Sequence, residues 1–201
     1  MSRARIVPSA RDSSADWSRA VSQRLKGAER LFILGVGNRR KGDDAAGSIC
    51  VRLLKRKLAL RKRRPGVVDS GSFRHPGGAK ESPPLEVQAF DAGESPESVT
   101  GLIREFGPTH VLIVDAALGG YRPGMIFIID KEKIRHEDIS THRIPLVHLM
   151  RYLEETIGCR VVLVGIEPQE MAWGKPVSPV VRTAAAELAA LLLKIGTVRH
   201  P

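Results

Sequence analysis

The 201 residues are 42% apolar and 27% charged but only 4% aromatic, with a formal net charge of +10. Such a length suits one domain that buries roughly 70% of its unfolded surface, here in a mainly aliphatic core. The positive charge is local: residues 1–30 carry seven basic and three acidic side chains, and Arg52–Arg64 carries eight basic and none acidic. What remains is slightly acidic, so the charge does not mark the whole chain as a polyanion binder. No apolar run approaches the ~20 residues of a membrane helix, and the opening residues lack the apolar core of an export signal. Cys50 and Cys159 form no CxxC pair, which argues against a disulfide scaffold or a thiolate zinc site. Free thiols in a cytoplasmic protein are the expectation.

In chain order, residues 1–30 read as a polar tail with an extra helix over 15–29, where Trp17, Val21, Leu25 and Ala28 recur at helical spacing. Leu31–Gly37 is an apolar run ending in glycines, a buried strand entering a tight loop. From about Asp43 to Lys62, Ala46, Ile49, Cys50, Leu53, Leu54 and Leu58 form one apolar stripe opposite Arg and Lys, an amphipathic helix. Its first turn holds Asp43 and Asp44, where the helix dipole favours anions. Residues 65–84, rich in Gly, Pro and Ser, read as a long loop with a short strand at Val67-Val68. Leu85–Phe90 alternates as a strand, and Pro96 opens a helix to Phe106. Val111–Asp115 and Met125–Ile129 are further strands. After the polar stretch Asp130–His142 come a helix over Pro145–Ile157, a strand over Val161–Ile166 and a closing helix over Pro179–Ile195. Continuous aliphatic strands alternating with helices predict a single α/β domain over residues 31–196. Its architecture would be a three-layer sandwich around a mostly parallel, twisted sheet of about five strands. Function in such sheets collects at the carboxyl ends of the strands, here Gly37–Asp44 and Asp115–Gly120.

Gly35-Val-Gly37-Asn38 invites comparison with a dinucleotide loop, but Arg40 occupies the third glycine position. The acidic ribose partner is also missing from KRKLALRKRR, and two aspartates behind the loop would repel a pyrophosphate. Asp43, Asp44, Asp115 and His142 are the stronger set. Helix capping accounts for Asp43 or Asp44 alone, and a structural hydrogen bond for Asp115 alone. Together, Asp44 and Asp115 end neighbouring strands of a doubly wound sheet, and two carboxylates with an imidazole suit a divalent metal such as zinc or nickel. His75, His110, His136, His148 and His200 are rivals for the imidazole.

Three blocks in this order resemble the hydrogenase maturation endopeptidases. The first is Gly35-Val-Gly-Asn-Arg-Arg-Lys-Gly-Asp-Asp44-Ala-Ala-Gly47. The second is Val114-Asp115-Ala116 with Gly124. The third is Ser140-Thr-His142 with Pro145-Leu146, followed by Val164-Gly-Ile-Glu-Pro168 and Trp173-Gly174 to Ser178. The resemblance implies an endopeptidase, aspartic-type or metal-assisted. It would remove the C-terminal extension of a nickel–iron hydrogenase large-subunit precursor after nickel insertion. It implies that Asp44, Asp115 and His142 are both the catalytic and the metal-contacting residues. It also implies that the nickel is carried by the substrate, that no organic cofactor is needed, and that the large-subunit precursor is the partner, with no nucleic acid and no membrane. Ala45 stands where the family often has Gly, and residues 1–30 and 65–84 exceed the family core.

Two rivals remain. A metal-loaded hydrolase of wider specificity would use the same three residues as its own ligands. A basic nucleic-acid-binding module would use Arg52–Arg64, against which stand the scarcity of aromatics for base stacking and the lack of a binding motif. The sequence leaves open which carboxylate is the base, and the oligomeric state.

Overall fold

The computed structural model describes residues 14–62, 85–130 and 146–196. The chain runs α1 (Ser14–Arg24), β1 (Arg30–Val36), α2 (Ala46–Lys62), β2 (Glu86–Gly93), α3 (Thr100–Phe106), β3 (His110–Ala116), β4 (Ile126–Ile129), α4 (Leu146–Ile157), β5 (Arg160–Ile166) and α5 (Pro179–Ile195). The five strands form one sheet in the order β2-β1-β3-β5-β4, parallel except for β4, which pairs antiparallel with β5 at the edge. No helix among the described residues is long and apolar enough to cross a membrane.

Alternate residues of each strand feed two cores. Leu31 and Ile33 of β1 and Leu112 and Val114 of β3 pack with α1, α2 and α5 on one face. Phe32, Leu34, Ile113 and Leu163 pack with α3 and α4 on the other. This is the expected three-layer sandwich, and it explains why β3 is buried along its whole length and apolar at every position from Val111 to Val114. In α5 the buried residues Val181, Ala184, Ala185, Leu188, Ala189, Leu192 and Ile195 recur every three or four positions, so one stripe faces the sheet.

Three boundaries differ from the pattern-based expectation. The first helix stops at Arg24 rather than at residue 29, and Gly27, with φ of +81°, turns the chain toward β1. Leu25 and Ala28 remain buried beyond its end, which is why their spacing imitates helix. The turns Gly42–Ala45 and Pro96–Val99 are 3-10 rather than α, so α2 begins at Ala46 and α3 at Thr100. The 65–84 loop and its Val67-Val68 strand lie outside the described residues.

The topology locates a crevice. From β1 the chain passes through α2 to β2 on one side. It then returns through α3 on the opposite face to β3, on the other side of β1. The two crossovers therefore diverge between β1 and β3, and ligands of doubly wound sheets sit at the carboxyl ends of such a strand pair.

Candidate active site

Glycine forms the floor of this crevice. A Cβ on Gly35 would collide with the Gly47 carbonyl, and a Cβ on Gly47 with the carbonyls of Val114 and Val36. Only glycine at both positions lets the first turn of α2 settle onto the ends of β1 and β3. That settling buries the preceding turn with both its aspartates.

The two aspartates then do different work. The Asp43 carboxylate accepts hydrogen bonds from the N–H groups of Gln169 (2.8 Å), Glu170 (2.9 Å) and Ser178 (2.6 Å) and from the Ser178 hydroxyl (2.9 Å). Its own N–H donates to the Glu170 carbonyl at 3.0 Å. Asp43 therefore pins the segment between β5 and α5 and does not cap α2. Asp44, 2% exposed, accepts the Asn38 N–H at 3.1 Å, and the Asn38 side chain in turn accepts the Arg40 N–H at 2.8 Å. Asp44 thus folds the Asn38–Gly42 loop around itself.

Asp115, 1% exposed, is the penultimate residue of β3, and its carboxylate accepts the Ala116 N–H at 2.8 Å. The register aligns Gly35 of β1 with Val114, so Asp115 lies one residue past the end of that pairing, on the side where Asp44 follows β1. The sheet thus brings Asp44 and Asp115 to adjacent strand ends, as expected. His142 lies outside the described residues, as do His75, His136 and His200. His148 is exposed on α4, and His110 opens β3 at the opposite end of the sheet from the crevice.

Asp91 is a further carboxylate at this end of the sheet, partly buried, which the sequence pattern does not single out. Asp91 pairs with Gly35 from the β2 side, and the Ser48 hydroxyl at the start of α2 reaches its Oδ1 at 2.6 Å and the Gly37 carbonyl at 3.2 Å. An acid ending an apolar strand was the signal that found Asp115. The alternation that suggested a strand ending at Phe90 stopped one residue short of Asp91. Glu167, just beyond β5, is a fourth buried acid. It accepts the Gly119 N–H at 2.8 Å and is bonded by the N–H groups of Gly120 and Tyr121. Burial nevertheless outweighs these bonds and pushes its carboxyl above the ordinary value.

Hard carboxylate oxygens suit a divalent cation, and a buried site excludes the water that would screen it. No group of three His, Cys, Asp or Glu that could hold a metal gathers among the described residues. Asp44 and Asp115 are the two buried carboxylates at the adjacent ends of β1 and β3.

A family model described as hydrogenase maturation protease matches residues 78–195, more than half of the chain. The chain belongs to this family. A Methanocaldococcus jannaschii protein bearing the same family name is 30% identical over 172 residues, 86% of this chain and 91% of its own. The hydrogenase 3 maturation protease of Escherichia coli K12 is 34% identical over 153 residues, 76% of this chain and 81% of its own. The crystal structure of the [NiFe] hydrogenase maturation protease HycI from Thermococcus kodakarensis superposes with a TM-score of 0.70 at 28% identity, covering 89% of this chain and 99% of that one. As a hydrogenase maturation protease the chain is a peptide hydrolase, an endopeptidase. The α2 basic residues Arg52, Lys55, Arg56 and Arg61 are exposed on the helix, and the Lys55 ammonium lies 5.8 Å from the centre of the Phe90 ring.

Proposed function

We propose that this endopeptidase removes the C-terminal extension of a nickel–iron hydrogenase large-subunit precursor once nickel has been inserted. Asp44, Asp115 and His142 would meet the nickel that the precursor carries. The observation that supports this reading best is the pair Asp44 and Asp115, two buried carboxylates delivered to neighbouring strand ends at the point where the crossovers diverge. Family membership supplies the reaction class.

In this reading nickel arrives as part of the substrate and polarises the nearby scissile carbonyl. A carboxylate of the crevice takes a proton from water as the oxygen adds to the carbonyl carbon. The proton then passes to the departing amine as the C–N bond breaks. Two or three oxygen and nitrogen contacts hold the nickel in register without stripping it from its own ligands. The reaction activates the partner, because the shortened subunit closes over its metal. Two buried, unlinked cysteines, Cys50 and Cys159, agree with a reducing cytoplasm as the place of action.

Mass spectrometry of nickel-loaded and nickel-free precursor after incubation tests the proposal. The nickel-loaded precursor should lose its extension, and the nickel-free one should stay intact even with added zinc. Efficient cleavage of the nickel-free precursor would favour a metal-loaded hydrolase of wider specificity.

A further inference from the structure

Two large apolar side chains, Leu118 (49% exposed) and Trp173 (67% exposed), stand on the loops at the carboxyl ends of the parallel strands. Leu60, Leu102 and Tyr152, also exposed, lie on helices instead. A single exposed apolar residue is ordinary. These two differ in how their loops are held.

Trp173 precedes Gly174, whose N–H donates to the Arg40 carbonyl at 2.7 Å. Arg40 is bonded through the Asn38 side chain, and the Asn38 N–H through Asp44, so three hydrogen bonds connect the Trp173 segment to Asp44. Asp43 fastens the same segment at residues 169, 170 and 178. Leu118 follows Asp115 by three residues and precedes Gly119, which Glu167 holds. Burying a carboxylate is costly, and here three buried carboxylates, Asp43, Asp44 and Glu167, hold two loops that present apolar side chains to solvent. Preorganised display of this kind lowers the ordering cost of association, and tryptophan is a favoured anchor of protein interfaces.

Position and charge select the partner. A standard interface covers about 800 Å² per side, a patch of roughly 16 Å radius. Any protein that threads a peptide to Asp44 and Asp115 must cover the loops bonded to them. Arg39, Arg40 and Lys175 are exposed on these loops and Lys41 partly so, against the exposed Glu170, so the rim is positive. We infer that Leu118 and Trp173 form a two-point docking anchor for the folded body of the large-subunit precursor, received on an apolar patch with an acidic rim beside its C-terminal extension. The inference rests on the substrate proposed above.

Precursor affinity is measured for the wild type, Trp173→Ala, Leu118→Ala and the remote control Leu60→Ala, with cleavage followed in parallel. Trp173→Ala should weaken binding at least about tenfold and Leu118→Ala several-fold. KM should rise with kcat nearly unchanged, thermal midpoints should fall little because Trp173 is mostly exposed and Leu118 half exposed, and Leu60→Ala should bind like the wild type. Unchanged affinity in both loop variants would overturn the anchor, as would equal losses in all three. A wild type that binds the precursor but never cuts it would defeat the proposed function and leave the anchor to be judged by affinity alone. A wild type that does not bind the precursor would defeat both.

Discussion

Asp43 and Ser178, 135 residues apart in sequence, are joined by two hydrogen bonds, from the Ser178 N–H at 2.6 Å and its hydroxyl at 2.9 Å to the Asp43 carboxylate. With the bonds from Gln169 and Glu170, this one side chain ties the turn before α2 to the turn before α5. Asp44, its immediate neighbour, faces the crevice loop instead. The two adjacent aspartates thus hold different segments, Asp43 the chain before α5 and Asp44 the loop after β1.

Asp43→Ala should therefore cost stability first. It removes a charged acceptor and strands buried N–H groups, a loss of about 3–5 kcal/mol. For a chain of this size that is a fall of roughly 10 °C in thermal midpoint. Calorimetry on this variant beside Asp44→Asn checks it, and the Asp44 variant should melt close to the wild type.

Much of this was legible in the residues. Continuous aliphatic runs gave four strands nearly at their observed bounds. Pro179 and its apolar stripe gave α5, because each of these signals is local. Asp115 is conspicuous as an acid at the end of an apolar strand, Asp44 stands in the turn that follows the glycine loop after β1, and the doubly wound order makes β1 and β3 neighbours. The role of Asp43 was hidden, since its partners lie more than a hundred residues away and a first-turn acid looks like a cap. The direction of β4 was equally hidden: four apolar residues carry no mark of parallel or antiparallel pairing. The 3-10 turns share the composition of helix starts, so spacing alone could not separate them.

Glu167 gives a pH signature. Its folded-state carboxyl is held above the ordinary 4.5 by burial, so folding favours its protonated form. The sign follows: its contribution is most favourable below 4.5 and is lost as pH rises through the raised value. Relative to Glu167→Gln, the wild type should gain stability as pH falls from 7 toward 4.5. Denaturant midpoints of both proteins across that range measure it, and a constant difference would mean the carboxyl titrates normally.

His110 should behave oppositely and leave catalysis alone. Burial first, and the nearby Arg160 charge second, hold its imidazole below the ordinary 6.5, so folding favours the neutral ring. That contribution is present above 6.5 and is lost as pH falls through the lowered value. The stability advantage of the wild type over His110→Ala should shrink on acidification. Processing by folded His110→Ala should match the wild type, because the ring lies at the far end of β3.

Charge steering should belong to the crevice loop rather than to α2. Neutralising Arg39, Arg40 and Lys41 together should slow precursor processing, most strongly at low salt, since exposed charges are screened beyond ~8 Å at physiological ionic strength. Neutralising Arg52, Arg56 and Arg61 on α2 should change the rate little. Rates for both triple variants at two salt concentrations separate the cases, and equal, salt-independent effects would remove the steering argument.

The central claim is that Asp44 and Asp115 carry the chemistry of the crevice. It is tested most directly by the mass of nickel-loaded large-subunit precursor after timed incubation with wild type, Asp44→Asn and Asp115→Asn, each verified as folded. Both substitutions keep shape and remove charge. Processing should fall at least about a hundredfold in each, the range expected for losing a positioned acid–base or electrostatic group. Cleavage at the wild-type rate by both folded variants would contradict it.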